Sequence, residues 1–342
     1  MGQVMKYHKI KGFVQFFLLS CIILFIVLGI LIFVPPFRKD SAEIKIKKGS
    51  SLSIVARELY DARIIPSSKV FVFYMRILGA DRTIRTGTYR FAPSLPPFLV
   101  AQKLIRGETV AQKVIIPEGR TASQIAQILE SQNIVSKDAF LSAVNDAEFA
   151  KKLEIPAASC EGYLFPDTYF FEQESDPQDI IEQMVSNFRA VIKKIEGSHI
   201  SALTPQELYQ KVVLASIVER EYRLPEDAPL IASVFFNRLE KKMPLQSCAT
   251  VVYVLTEHLG RPHPSVVYYN DLRVKDPYNT YINRGLPPGP ISNPGKISLS
   301  AVLFPSETNF LYFRLDNASS GKHRFSRTLE EHNEAAIIPK EL

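Results

Sequence analysis

Between Phe13 and Val34 the chain reads FVQFFLLSCIILFIVLGILIFV, about 22 residues without a charge, with Gln15 and Ser20 as the notable polar interruptions. A run of that length crosses a hydrocarbon layer of roughly 30 Å as a helix. Whatever else the chain builds must therefore fold beside a membrane. A cleaved leader is the competing reading, but the run exceeds an ordinary leader core and Pro35-Pro36-Phe37-Arg38 offers no small-x-small cleavage site. An uncleaved anchor over 13–35 is expected. Lys6, Lys9 and Lys11 precede the run, while Arg38, Lys39, Lys45, Lys47 and Lys48 follow it. Local charge counting does not favour a cytoplasmic N-terminus, yet a long C-terminal body can be translocated regardless of such charges. Orientation has to come from function.

The rest of the 342 residues suffices for two or three folded units, and 46% hydrophobic with 22% charged residues is the balance of an ordered protein. A net charge of +6 and a pI near 9.0 suit an anionic partner. The basic residues are dispersed, with no basic helix, zinc finger or aromatic RNP-type strand, so nucleic acid is not expected as a partner. Cys21 lies in the apolar run. Cys160 and Cys248 could pair in an exported body or remain two thiols.

Residues 44–65 (IKIKKGSSLSIVARELYDARII) align without gaps with 114–135 (VIIPEGRTASQIAQILESQNIV), matching Gly49 to Gly119, Ser53 to Ser123, Ala56 to Ala126 and Leu59 to Leu129. Each copy predicts a short strand, a glycine turn and a helix whose apolar positions are Ile54, Val55, Leu59 and Ile125, Ile128, Leu129. The pattern resembles LysM, a module that binds N-acetylglucosamine polymers, and reads equally as a structural repeat without sugar affinity. Between the copies, GADRTIRTGTYRFAPSLPPFLVAQKLIRGE predicts a strand pair and then a helix, broken at Pro93, Pro96 and Pro97.

From Lys151 onward the pattern is α+β, with helices expected at 176–195, 205–222 and 228–241 before short strands and Pro/Gly-rich loops. The loop NTYINRGLPPGPISNPG (279–295) is rich enough in proline and glycine to shape a cleft. No Ser-His-Asp order, P-loop, GxGxxG or HExxH is present, which excludes the chemistries those motifs serve. His323 and His332 lack a third ligand at suitable spacing, so neither a metal nor a cofactor is expected.

In LASIVERE (214–221), Leu214, Ile217 and Val218 form a core side, and Ala215 and Ser216 are small enough to leave room for a ligand near Glu219. A partly desolvated carboxylate there would have the raised pKa that a general acid needs. On a continuous helix Glu219 and Glu221 point about 200° apart and cannot share a cleft. Taken alone, a Glu at a Glu-Arg-Glu-Tyr helix end reads as a solvated residue.

The segments EGYLFPDTY, LASIVEREY, SVFFNRL, LQS-x-x-TVVY, YNTYINRGLPPGPISNPG and KHRFS-x-x-x-x-EHN occur in this order over roughly the last 180 residues. Together they resemble the YceG family of endolytic murein transglycosylases. The resemblance implies that Glu219, ending the Ala-Ser-Ile-Val-Glu stretch, is the catalytic acid and base. It implies cleavage of the MurNAc–GlcNAc β-1,4 bond of peptidoglycan, with closure to a 1,6-anhydro end. Where the family carries Asp-Pro after Leu-Gln-Ser, this chain has Cys248-Ala249, so no acidic role carries over to that position. Glu161, Tyr163, Asp167, Gln246, Asn279 and Tyr281 are the expected substrate-binding residues. Glu161 and Asp167 are also the second carboxylates that a muramidase-type hydrolase would require. A non-enzymatic wall-binding scaffold is the alternative outside catalysis.

The expected organisation is a cytoplasmic tail (1–12), a transmembrane helix (13–35), a LysM-like subdomain (40–110), a second LysM-like repeat or connecting unit (111–150) and a mixed α+β YceG-like catalytic domain (151–342). Since the substrate lies outside the inner membrane, the N-terminus is expected to be cytoplasmic and the body periplasmic or extracytoplasmic. The expected partners are peptidoglycan glycan strands, the cytoplasmic membrane through 13–35, and wall-synthesis enzymes.

Overall fold

The computed structural model describes residues 2–47, 49–80, 84–197, 203–316 and 320–334, and of residues 2–14 and 196 the backbone alone. The chain divides into two compact units, Met1–Gln112 and Lys113–Leu342.

The first unit opens with helix α1, Gly2–Phe33. It ends just before Pro35-Pro36, because proline supplies no amide hydrogen and disfavours helical backbone in the residue before it. Its segment Gln15–Phe33 has mean hydropathy 3.2 and is not buried within the chain, and by length and composition it can cross a membrane. After it come β1 (Ala42–Ile46), α2 (Leu52–Asp61), α3 (Ser68–Ile77), β2 (Gly87–Phe91) and α4 (Pro97–Arg106). Strands β1 and β2 pair antiparallel, with Ile44 opposite Tyr89, so strand, two helices and return strand close one small core. The expected strand pair before α4 is, among the described residues, the single strand β2. Its partner is the distant β1, and residues 81–83 lie outside the described residues.

The second unit repeats the plan with β3 (Gln112–Ile115), α5 (Ala122–Ser131), α6 (Lys137–Val144), α7 (Ala147–Lys152) and β4 (Thr168–Phe171), where β3 pairs with β4. The correspondence extends to backbone detail. Gly49 and Gly119 have φ of 82° and 71°, and Arg63 and Asn133 have φ of 53° and 55°. Ser51 caps α2 and Thr121 caps α5, and Val55, Ala56, Leu59 match Ile125, Ala126, Leu129 as fully buried residues. Ile54 departs from expectation: it is exposed, and Leu52 takes its place on the buried face.

Residues 111–150 do not stand apart. Val114, Ile125, Phe140 and Phe149 share one core with Ile181, Phe188, Leu214 and Phe235. That core is completed by α8 (Pro177–Glu196), α9 (Pro205–Val218), α10 (Ala228–Glu240), α11 (Cys248–Tyr253) and α12 (Lys296–Leu303), with a β5 (Tyr312–Leu315) and β6 (His323–Ser326) ribbon and α13 (Leu329–Glu334). Helix α9 starts at a Thr204/Glu207 capping box and packs against α10 and α12. Its residues 212–218 are all buried, the condition of a central helix apolar on every side. It stops at Val218, four residues earlier than expected.

Candidate active site

Glu219 is the residue that ends α9, and the chain turns there through bonds from the Arg220 amide to Ile217 and the Glu221 amide to Val218. The helical-wheel separation of Glu219 and Glu221 therefore does not apply as stated. The two carboxylates nevertheless have different partners. The Glu221 carboxylate accepts the Ser247 hydroxyl. Oε2 of Glu219 accepts the Gly295 amide at 2.9 Å and the Ser298 hydroxyl at 2.5 Å, both at the N-terminus of α12.

Burial pushes the Glu219 carboxyl up to about 7. The bonds from Ser298, Gly295 and Tyr222 oppose that rise, and Glu118 adds to it through like-charge repulsion. Glu118 belongs to the Pro117–Arg120 turn of the second repeat. A Cβ added to Gly119 would lie 3.4 Å from Glu219 Cγ, and a Cβ on Gly295 would collide with the Glu118 carboxylate. Arg220 fastens the same turn, with Nη1 donating to the Gly119 carbonyl at 3.0 Å.

The 279–295 loop reaches this place through close fits. Ser216, expected to leave room for a ligand, instead receives the loop: its Oγ accepts the Ile291 amide at 3.0 Å, and its carbonyl accepts the Ser292 hydroxyl at 3.1 Å. Asn293 then joins three segments. Its Oδ1 accepts the Gly162 and Leu164 amides at 2.8 and 2.9 Å, and its Nδ2 donates to the Arg120 carbonyl and to Glu161 at 2.9 and 2.7 Å. Glu161 also accepts the Ala122 amide at 2.9 Å, and burial raises its carboxyl to about 8. Glu161 thus braces the loop that carries Gly295.

The other expected substrate residues fall in three places. Gln246, at φ 56°, and Tyr281 line a cavity of about 420 Å³ with Arg220 and Glu221. Asn279 is fully buried, with Nδ2 bonded to the Leu272 and Val274 carbonyls and Oδ1 to the Tyr281 amide. Its polar atoms are spent on the loop itself. Tyr163 is buried against Phe188 with ring centroids 4.8 Å apart, and Asp167 is exposed, bonded to the Thr168 amide and Asn187. Sequence reasoning missed Glu118, Tyr222, Asn293 and Ser298. The signal for Glu118 was in the repeat, whose second turn has Pro117-Glu118 where the first has Lys47-Lys48.

Cys160 is a buried thiol and Cys248 an exposed one, so they do not pair. Among the described residues no group of three or more His, Cys, Asp or Glu side chains is placed to hold a metal ion.

A desolvated carboxyl poised near neutrality, with one oxygen pinned by fixed donors, is the equipment of a general acid–base enzyme. The chain belongs to the YceG-like family, whose model matches residues 44–337. It is similar to the endolytic murein transglycosylase of Bacillus subtilis, 35% identical over 319 residues that cover 88% of this chain and 86% of the relative. The endolytic murein transglycosylase of Streptococcus pneumoniae is 27% identical over 86% of this chain, which spans 58% of that relative. A yceG-like protein from Listeria monocytogenes, with a crystal structure at 2.6 Å, aligns with TM-score 0.57 and 36% identity over 87% of this chain and 99% of that one.

Proposed function

We propose that this chain is a membrane-anchored endolytic lytic transglycosylase that cuts peptidoglycan glycan strands, with Glu219 as acid and then base. The observation that carries this is the state of the Glu219 carboxyl, partly buried, pinned through Oε2 and with its pKa raised to about 7. Protonated Glu219 gives its proton to the glycosidic oxygen as the C1–O bond breaks and positive charge develops on the muramoyl ring. The carboxylate then takes the proton of that sugar's C6 hydroxyl. O6 bonds to C1, giving a 1,6-anhydro end and restoring the acid, with no water consumed.

Glu161 braces the loop through Asn293, while Gln246 and Tyr281 offer the strand neutral polar groups from the cavity wall. A muramidase-type hydrolase needs a second carboxylate with access to water. Glu161 is spent on bracing Ala122 and Asn293, and Asp167, exposed and bonded to Thr168 and Asn187, shares no hydrogen-bond partner with Glu219, so the geometry favours the single-carboxyl reading.

Because murein lies outside the inner membrane, we place the body periplasmic or extracytoplasmic with the N-terminus inside and α1 as the anchor. Wall-synthesis enzymes are the natural neighbours there. To the first unit's strand–helix–helix–strand module, and to its counterpart in the second unit, which has a third helix, we assign a LysM-like role in binding glycan. Digestion of purified strands by wild type but not by Glu219→Gln supports the assignment. Equal digestion by both removes Glu219 from its role, and no digestion by either favours a wall-binding scaffold.

A further inference from the structure

The cavity beside Glu219 has a composition that a bare glycan does not explain. Four guanidinium side chains line it, Arg220, Arg223, Arg238 and Arg314, against the single carboxylate of Glu221. Among the described residues, none of the four forms an ion pair. Their partners are neutral: Arg220 donates to the Gly119 carbonyl, and Arg238 donates to the Leu311 and Leu245 carbonyls at 2.6 and 2.9 Å. Nε of Arg314 is shut off from solvent and has no hydrogen-bond partner among the described residues. Buried donors are rarely left bare, and like charges gathered in one cavity cost free energy unless an anion completes them. Burial, and then the nearby Arg120, lower the Arg220 guanidinium pKa, against the opposing pull of Glu219, Glu221 and Glu257.

Guanidinium forks match planar oxyanions, accepting a carboxylate through paired donors. A cavity of about 420 Å³ admits a peptide end rather than a small ion alone. On a peptide-bearing strand the lactyl carboxyls of the muramic acids are tied up in amide bonds, so the carboxylates such a strand offers are those of its peptides. Arg220 lines the cavity, and a Cβ on Gly119 would lie 3.5 Å from Arg220 Cδ and 3.4 Å from Glu219 Cγ, so one wall of the cavity adjoins the Glu219 side chain. The pyrophosphate of a lipid-linked strand sits at a chain end, away from an internal cut.

We propose that this arginine-lined cavity binds a carboxylate of the peptide borne by the strand. The inference rests on the transglycosylase reading and deepens it.

Binding separates the two. The full chain carrying Glu219→Gln is titrated with peptide-bearing strands, with the same strands after methyl esterification of their carboxylates, and with neutral β-1,4-linked N-acetylglucosamine strands of the same length. Wild type is assayed for cleavage in parallel. Peptide-bearing strands should bind about 10–100-fold tighter than the other two, the scale of one or two charge-assisted bonds. Adding Arg314→Gln and Arg223→Gln should collapse that ratio toward one, with the thermal midpoint as the folding control. Equal binding of all three strands overturns the inference, as does esterified peptide binding as tightly as the acid. Wild type that binds selectively but cleaves nothing sinks the transglycosylase reading and leaves the oxyanion site standing.

Discussion

Ser298 and Glu161 bear on the Glu219 carboxyl, the proposed acid and base, in different ways. Ser298 donates to the charged form of Glu219 and so holds its pKa down. In Ser298→Ala the pKa rises, and the acid stays protonated to higher pH. The alkaline limb of the kcat/KM profile should therefore move upward, which a pH series on soluble strands measures. Glu161 has its carboxyl raised from 4.5 to about 8, so between those values the folded state holds a proton that the unfolded chain releases. Its contribution is full below about 4.5 and is lost as pH climbs through about 8. Glu161→Gln mimics the protonated form and can still accept from Ala122 and Asn293. It should flatten the fall of Tm across that window while leaving Tm at the acid end nearly unchanged.

At the scale of elements, two glycines separate folding from function. Gly162 has φ 88°, and a Cβ there would meet Pro290 at 2.5 Å and Val212 at 2.9 Å. Neither a ring nor a packed helix can yield, so Gly162→Ala should cost about 2–4 kcal/mol, read by denaturant unfolding. Gly295 has φ −81°, which alanine tolerates, and the obstacle to its Cβ is the end of the exposed Glu118 side chain. Gly295→Ala should unfold within about 1 kcal/mol of wild type, because a surface side chain can swing aside. Its cleavage rate should nevertheless fall, since Glu118 is displaced from beside Glu219.

The elements were legible where periodicity or a cap marked them. The repeat gave β1, α2, β3 and α5 in register, and α8 and α10 lie within a residue of expectation. What stayed hidden is long-range. The pairing of β1 with β2 joins residues 42–46 to 87–91. The burial of Ser216 against Ile291 spans 75 positions. The early end of α9 comes from the site geometry rather than from a helix breaker, since residues 219–222 contain neither glycine nor proline. The same distance hid Gly295 and Ser298 as partners of Glu219, and a spacing argument within one segment cannot join positions 219 and 298.

For the whole molecule, the anchor and the enzyme make one geometric claim. In the proposed function the apolar helix tethers the body to the membrane that bounds its substrate, a role its length and composition allow. Cys248 is an exposed thiol, Cys160 is buried, and Cys21 sits in the apolar segment. A membrane-impermeant maleimide applied to spheroplasts or protoplasts should thus label Cys248 and lose that label in Cys248→Ser. Labelling only after lysis would place the body on the cytoplasmic side and contradict the assigned orientation.

The central claim is that one carboxyl does both proton transfers and that the sugar's own hydroxyl replaces water. Mass spectrometry of strand ends made by the wild-type chain in heavy-oxygen water tests it most directly, with Glu219→Gln as control. The account predicts 1,6-anhydro ends without heavy oxygen from wild type and no new ends from the variant. Reducing ends that carry heavy oxygen would contradict it and establish hydrolysis instead.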